Sequence, residues 1–136
     1  LVYLASKYGG ESWLPRSPEG AAAVQRWLSV AAGQIAHGPA AARIANVFLA
    51  SPPAAELVAR SHALLGVMER HLAKRAYLAA EHATIADVAG YTYVAHAPEG
   101  DVSLADYPNV RGWIARIEAL PRFVPMATSA VGLRAS

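Results

Sequence analysis

Apolar residues recur at helical spacing along most of the chain, and no stretch longer than a few residues shows the alternation typical of a strand. The first amphipathic stretch opens with Ser17-Pro18-Glu19, which combines a hydroxyl cap, a proline where no N–H is needed, and an acid near the positive helix end. Its apolar stripe contains Val24, Trp27, Leu28, Ala31 and Ile35. Gly38-Pro39 predicts a break or kink in this helix, because proline lacks the N–H that the helical ladder uses.

A second amphipathic helix is predicted after Ser51-Pro52-Pro53, which has residues typical of a helix start. Polar side chains lie off its single apolar stripe, which contains Leu57, Val58, Leu64, Leu65, Met68 and Leu72. Because two long helices each carry one apolar stripe and are joined by a short link, we expect them to pack antiparallel.

The stretch that begins at Thr84 is almost entirely apolar or small, which predicts a helix buried on all sides. An irregular connector, residues 77–83, precedes it, and Pro98-Glu99-Gly100 ends it with turn residues. Pro108 begins a last helix and Pro121 stops it. The pattern predicts an all-α fold, a helical bundle of about five or six helices around a buried central helix.

Both ends of the chain carry weaker signals. Residues 1–10 resemble the end of a helix with Gly9 as a left-handed cap, and residues 11–17 resemble a linker. We therefore expect a main domain over residues 18–136 and a remnant of another domain before it. After Pro121, we expect an apolar tail to fold back and the residues after Ala127 to be frayed. The residues of this packed tail are Phe123, Val124 and Met126.

Composition excludes several classes of protein. The chain has 136 residues, of which 54% are hydrophobic and 16% charged, so a packed core is expected rather than disorder. The net charge of +2 is small and dispersed, which argues against nucleic-acid binding. No apolar run approaches the roughly 20 residues that span a membrane. The absence of cysteine excludes disulfides, zinc thiolates and a cysteine nucleophile, and the histidine spacings predict no metal site.

Thr84-Ile85-Ala86-Asp87 matches a capping box, in which the Thr hydroxyl accepts a backbone N–H and the acid reaches back to the cap N–H. Asp87 can be interpreted as a catalytic carboxylate or as a structural cap. We favour the structural cap for Thr84 and Asp87, because the spacing satisfies the capping pattern completely. A cap on a buried helix start is worth more than one at the surface, since orphan N–H groups there cannot reach water.

A small-molecule pocket is predicted near the Gly38-Pro39 break, because a kink opens a gap between helices. Polar residues beside Ile35 and Ile44 form a mixture suited to such a site. The candidate residues for binding an electrophilic substrate are Gln34, His37 and Arg43. The alternative is that these three side chains are ordinary solvent-facing residues, and no partner is evident that would make His37 a general base.

The order of these features resembles the C-terminal helical domain of glutathione transferases of the bacterial type. The resemblance rests on the buried helix opened by Thr84-Ile85-Ala86-Asp87, on Trp27-Leu28, on the stretch from Tyr107 to Ile114, and on Ala119-Leu120-Pro121. Val2 to Gly9 resembles the last helix of the family's thioredoxin-like N-terminal domain. Ala80 and Ala83 depart from the family, which often has glycine and proline in this connector.

The resemblance implies a cytoplasmic, dimeric detoxification enzyme that transfers the thiol of glutathione, its co-substrate, to a hydrophobic electrophile. This chain would supply part of the electrophile pocket, mainly from its first long helix, and part of a homodimer surface. Glutathione and the activating residue would belong to the missing thioredoxin-like domain, so the chain alone is expected to be inactive and only marginally stable. The alternative is a non-catalytic interaction module of a larger assembly, as occurs with similar helical domains of translation factors and synthetases.

Overall fold

The computed structural model describes residues 1–49 and 51–129, and within these ranges the chain is helical with no strand. This confirms the all-α prediction. The α-helices are α1 (Val2–Leu4), α2 (Gly10–Trp13), α3 (Pro18–Val30), α4 (Ala41–Arg43), α5 (Ala55–Leu72), α6 (Ile85–Ala95) and α7 (Pro108–Glu118). π-Helical turns cover Ala5–Gly9, Ala31–Ala40 and Ile44–Phe48, and a 3₁₀-helix covers Ala97–Gly100. Residues 130–136, part of the stretch expected to be frayed, lie outside the described residues.

A continuous helix runs from Pro18 to Phe48 through α3, α4 and the two π-helical segments, and we call it the long helix. It begins as predicted, with the Ser17 hydroxyl accepting the Gly20 N–H at 3.1 Å. Of the predicted break or kink at Gly38-Pro39, the break is wrong, because Pro39 lies inside a π-helical segment and the helix continues past it. The kink stays a prediction. A π-helical turn shifts the hydrogen-bond ladder and so tolerates a residue that cannot donate.

The helix α5 packs antiparallel to the long helix, as the two apolar stripes predict. The rings of Trp27 and His71 lie 4.9 Å apart, whereas Gly38, further along the long helix, faces Ser61, near the start of α5. The start of α5 differs from the prediction, since it begins at Ala55 and has no side-chain cap. Its buried residues are Ser61, Leu64, Leu65, Met68 and Leu72.

The helix α6 lies at the centre of the bundle and contacts the long helix and α7. Ile85, Ala86, Gly90 and Val94 on this helix are buried. It is not buried all round, however, because Val88 and Tyr93 are 40% and 39% exposed. Val88 faces the N-terminal helical turns, where it lines a shallow depression, so one side of α6 is open in this chain.

A residue of another helix caps α7. Tyr107 precedes Pro108 and gives no side-chain cap, and Glu69 of α5 takes this role. One Glu69 oxygen accepts the backbone N–H of Asn109 at 3.0 Å, and the other accepts that of Val110 at 3.0 Å. A carboxylate is favoured there by the positive end of the helix. Glu69 therefore ties α7 to α5.

The two ends of the chain differ from the sequence predictions. Gly9 has a right-handed φ of −90°, and Gly10 has the positive φ of +67° that was expected one residue earlier. After α7, Phe123 packs edge-on against Tyr91 with ring centroids 5.2 Å apart. Val124 is 84% exposed, so the prediction that it packs is wrong. Phe123 alone anchors this stretch by apolar contact, because Met126 is also exposed.

Candidate functional site

The long helix and α5 enclose an open groove with a volume of about 440 Å³. Its floor is apolar and its rim carries polar and charged side chains. The residues that line it are Gly33, Gln34 and His37 from the long helix, and Arg60, Ala63, Leu64 and Val67 from α5. Both its size and this mixture are typical of small-molecule sites.

The antiparallel helices bring Gln34 and His37, two of the three predicted site residues, to this groove. Gly33 borders the open space of the groove, because a Cβ at this position would meet no atom within 4 Å. Arg60, which the sequence analysis did not single out, lies on the opposite wall and forms an ion pair with Glu56 one turn earlier. Its signal is weak in the sequence, because Arg60 appears there only as a polar residue off the apolar stripe.

Arg43, the third predicted site residue, does not line the groove. Its side chain is only 6% exposed, and its Nε donates to Glu99 Oε2 at 2.7 Å. Its Nη2 donates to the Ser129 hydroxyl at 2.8 Å, and its guanidinium lies 5.3 Å from the centre of the Phe48 ring. Arg43 thus links the long helix, the 3₁₀-helix and the C-terminal stretch.

Glu99 is the counterpart of Arg43 and is held by several donors. His96 Nδ1 lies 2.6 Å from Glu99 Oε1 and donates to it, since a carboxylate can only accept. Asn46 Nδ2 donates to the Glu99 carbonyl oxygen at 2.9 Å. Burial acts to raise the pKa of Glu99, but hydrogen bonds from His96, Arg43 and the Ser129 backbone outweigh it and lower the pKa from its usual value of 4.5. Glu99 is therefore ionised near neutral pH.

Thr84 and Asp87 form a capping box at the start of α6. The Thr84 backbone N–H donates to Asp87 Oδ2 at 2.9 Å, and the Thr84 hydroxyl accepts the Ala86 N–H at 3.3 Å. The other Asp87 oxygen accepts the Leu78 N–H and the Trp113 indole N–H, each at 2.9 Å. Asp87 is 1% exposed. Both of its oxygens are thus engaged by donors of the protein, which is the arrangement of a structural carboxylate.

His62 and His71 make contacts within the fold. His71 Nε2 donates to the Leu78 carbonyl at 2.8 Å, and His62 Nδ1 lies 2.9 Å from the Tyr107 hydroxyl oxygen. Over residues 1–49 and 51–129, no group of His, Cys, Asp and Glu is arranged to hold a metal ion. None of the helices in the same ranges is long and apolar enough to cross a bilayer.

Comparison with known proteins identifies the family. The family profile "Glutathione S-transferase, C-terminal domain" matches residues 42–121. A glutathione S-transferase from Xanthobacter autotrophicus Py2 is 33% identical with a TM-score of 0.85, the match covering 92% of this chain and 62% of that one. One from Pseudomonas fluorescens Pf-5 is 31% identical with a TM-score of 0.84, covering 91% and 64%.

A third similar structure is a glutathione transferase from Burkholderia graminis with two glutathione molecules bound per subunit. It is 28% identical with a TM-score of 0.77, covering 89% of this chain and 54% of that one. A search of curated proteins gave no match. The chain spans less than two thirds of the length of these relatives. The match of the family profile agrees with the helix order and with the capping box. The chain therefore belongs to the glutathione S-transferase family and carries its C-terminal helical domain.

Proposed function

We propose that the protein to which this chain belongs is a glutathione transferase, in which these residues form a wall of the electrophile pocket and part of a homodimer surface. Its relatives are glutathione S-transferases about one and a half times as long as this chain, which leaves room for a thioredoxin-like domain that binds glutathione. The reaction joins the glutathione sulfur to an electrophilic carbon, whose leaving group departs with the bonding electrons. The observation that carries this proposal is the groove between the long helix and α5.

In this proposal the groove holds the apolar body of the electrophile. Leu64 and Val67 supply an apolar surface, and Gln34 and His37 on the facing helix supply hydrogen-bonding groups at its rim. Apolar walls with a few polar groups bind and orient a hydrophobic ligand. Arg43 acts here through packing, since it supports Phe48 and does not reach the groove.

The thioredoxin-like domain is proposed to cover the open side of α6. A shallow depression there has a volume of about 230 Å³ and is lined by apolar side chains, among them Leu1, Leu4, Trp13, Ile85 and Val88. Leu1, Leu4 and Tyr8 are exposed in this chain. Such a contiguous apolar surface is typical of an interface.

The homodimer surface is proposed to lie near the start of α5. Glu56 and Arg60 place opposite charges one turn apart there. Arg60 also lines the groove, so the proposed dimer surface borders the groove and does not include Val67. Across a twofold axis, each Glu56 can meet the Arg60 of a second copy, since a symmetric interface pairs each patch with itself. Charge reversal tests this arrangement: E56R and R60E should each weaken the dimer at least about tenfold, and the double exchange should restore it.

The groove is tested by steady-state kinetics of the full-length protein with glutathione and 1-chloro-2,4-dinitrobenzene. V67W places an indole in the groove and should raise the KM for the aromatic electrophile at least about tenfold, leaving the KM for glutathione within about twofold. A59W, on the same helix outside the groove, is the matched control. Equal effects of the two variants, or an effect confined to glutathione, would contradict the groove assignment.

Activity itself is tested on two proteins. The full-length protein should conjugate glutathione and be retained on immobilised glutathione, whereas residues 1–136 alone should do neither, because glutathione is proposed to bind to the thioredoxin-like domain. A full-length protein with no retention and no conjugation would favour the non-catalytic interaction module instead.

A further inference from the structure

The groove between the long helix and α5 has a polar end and an apolar end. Gly38 of the long helix faces Ser61 of α5. Their neighbours in the sequence, His37 and Arg60, both line the groove and so lie across it from each other. Val67 follows Arg60 by seven residues, which places it about 10 Å further along α5. The polar groups therefore gather at one end of the groove, and the aliphatic side chain of Val67 lies at the other.

The polar end of the groove is rich in hydrogen-bond donors and carries positive charge. Arg60 is permanently charged and presents several N–H donors, and the His37 imidazole donates in each of its protonation states. Gln34, one turn before His37, adds an amide that can donate or accept. Among the residues that the structure describes, no carboxylate lines the groove. An anionic group on the ligand is therefore the chemical complement of this end.

Glu56 offsets part of the charge of Arg60, since the two side chains form an ion pair at the edge of the groove. The side chains of Arg60 and Glu56 are 60% and 72% exposed, and an exposed pair with this spacing contributes little to stability. A guanidinium also has more donors than one carboxylate uses. Arg60 can therefore bind the carboxylate of a ligand, either beside Glu56 or in exchange for it.

We propose that the groove selects electrophiles that carry a carboxylate beside an apolar body, and that Arg60 determines this specificity. This substrate class rests on the transferase function proposed above, because it concerns the same groove. The carboxylate lies at the end with Arg60 and His37, and the apolar body extends towards Val67. The carboxylate itself does not react. The glutathione sulfur forms a bond to the electrophilic carbon, and the leaving group departs from that carbon with the bonding electrons.

Isothermal titration calorimetry on the full-length protein tests this specificity with two probes, 3-nitrobenzoate and 3-nitrobenzamide. The probes differ in the charge of one group, and neither has a leaving group, so binding is measured without turnover. The wild-type protein should bind the carboxylate at least about fivefold more tightly than the amide, and R60Q should reduce this ratio to less than about twofold. R75Q, which removes an exposed arginine outside the groove, is the matched control and should keep the wild-type ratio. A weaker dimer affects both probes and leaves their ratio unchanged.

E56Q supplies the opposite change, because it removes the acid that competes for Arg60. The ratio of carboxylate to amide binding should rise roughly twofold above that of the wild type. A wild-type ratio near one, equal ratios in R60Q and R75Q, or a lower ratio in E56Q overturns the specificity. Conjugation of glutathione to the neutral 1-chloro-2,4-dinitrobenzene is measured on the same proteins. Its absence contradicts the proposed function, whereas normal conjugation with an unchanged ratio in R60Q contradicts the specificity alone.

Discussion

Two carboxylates organise different parts of this domain: that of Asp87 is buried and that of Glu99 is 12% exposed. Asp87 accepts only from neutral donors, two backbone N–H groups, one hydroxyl and one indole N–H. Glu99 pairs with the charged guanidinium of Arg43, 56 positions away in the sequence, and with His96. Asp87 thus fixes the start of one helix, whereas Glu99 joins three segments that are distant in sequence.

The two residues show two ways in which a fold stabilises a carboxylate that has lost most of its contact with water. Asp87 lies in the first turn of α6, where the positive helix end and several N–H donors offset the loss of water. Glu99 relies on an opposite charge, and a buried ion pair gains little over well-packed apolar residues of similar volume. The two centres should therefore respond differently to substitution.

The largest effect is expected for D87A. It leaves the N–H groups of Leu78 and Trp113 and the backbone N–H of Thr84 buried without acceptors, and each orphan donor costs about 1–3 kcal/mol. The free energy of unfolding should fall by roughly 4 kcal/mol or more, as measured by urea denaturation of the full-length protein. E81A, an exposed acid in the preceding connector, should change it by less than about 0.5 kcal/mol. Similar losses in both variants would refute the role of Asp87 as a cap.

Breaking the Arg43–Glu99 ion pair should lower the free energy of unfolding, whereas replacing both residues by apolar ones should not. R43M leaves Glu99 without its cation and should cost about 3 kcal/mol, whereas the double variant R43M/E99L should recover most of that loss. A double-mutant cycle measures the coupling. If the double variant were less stable than R43M, the ion pair would not be interchangeable with apolar packing, and the contrast with Asp87 would disappear.

Gly100, beside Glu99, sets how closely the 3₁₀-helix approaches the long helix. A Cβ at Gly100 would lie 2.5 Å from the Arg43 backbone N, which forces the two backbones apart. G100A should therefore cost about 2 kcal/mol. G33A, whose Cβ would meet open space in the groove, should be neutral or stabilising by about 0.5–1 kcal/mol. Thermal unfolding of the two variants compares them directly.

The smallest effect is a pH dependence of the Glu99 centre. Because the folded state lowers the pKa of Glu99, its contribution to stability is present above the usual value of 4.5 and is lost as the pH falls through the folded-state pKa. The wild-type advantage over E99Q should therefore be largest near about pH 6 and shrink towards about pH 3. An advantage that stays constant over this range would show that the carboxylate charge contributes nothing.

Local rules predicted part of the fold and of the candidate site. The start of the long helix at Ser17 and that of α6 at Thr84 depend on hydrogen bonds within four residues, which the sequence displays directly. The groove was predicted only in part: Gln34 and His37 meet there, but Arg60 comes from another helix and was missed. The predicted break at Gly38-Pro39 does not occur, because a π-helical segment, which has no sequence signature, accommodates the proline.

The sequence by itself determined that the chain is helical, where two of its helices begin, and that Thr84 and Asp87 match a cap. The tertiary structure alone decided that Leu78 and Trp113 complete the Asp87 site, that Glu69 caps α7, and that Arg43 faces Glu99 and Ser129. The reason is the range of the interactions. A cap and an apolar stripe are set by neighbours along the chain, whereas the partner of a buried charge is set by which helices meet.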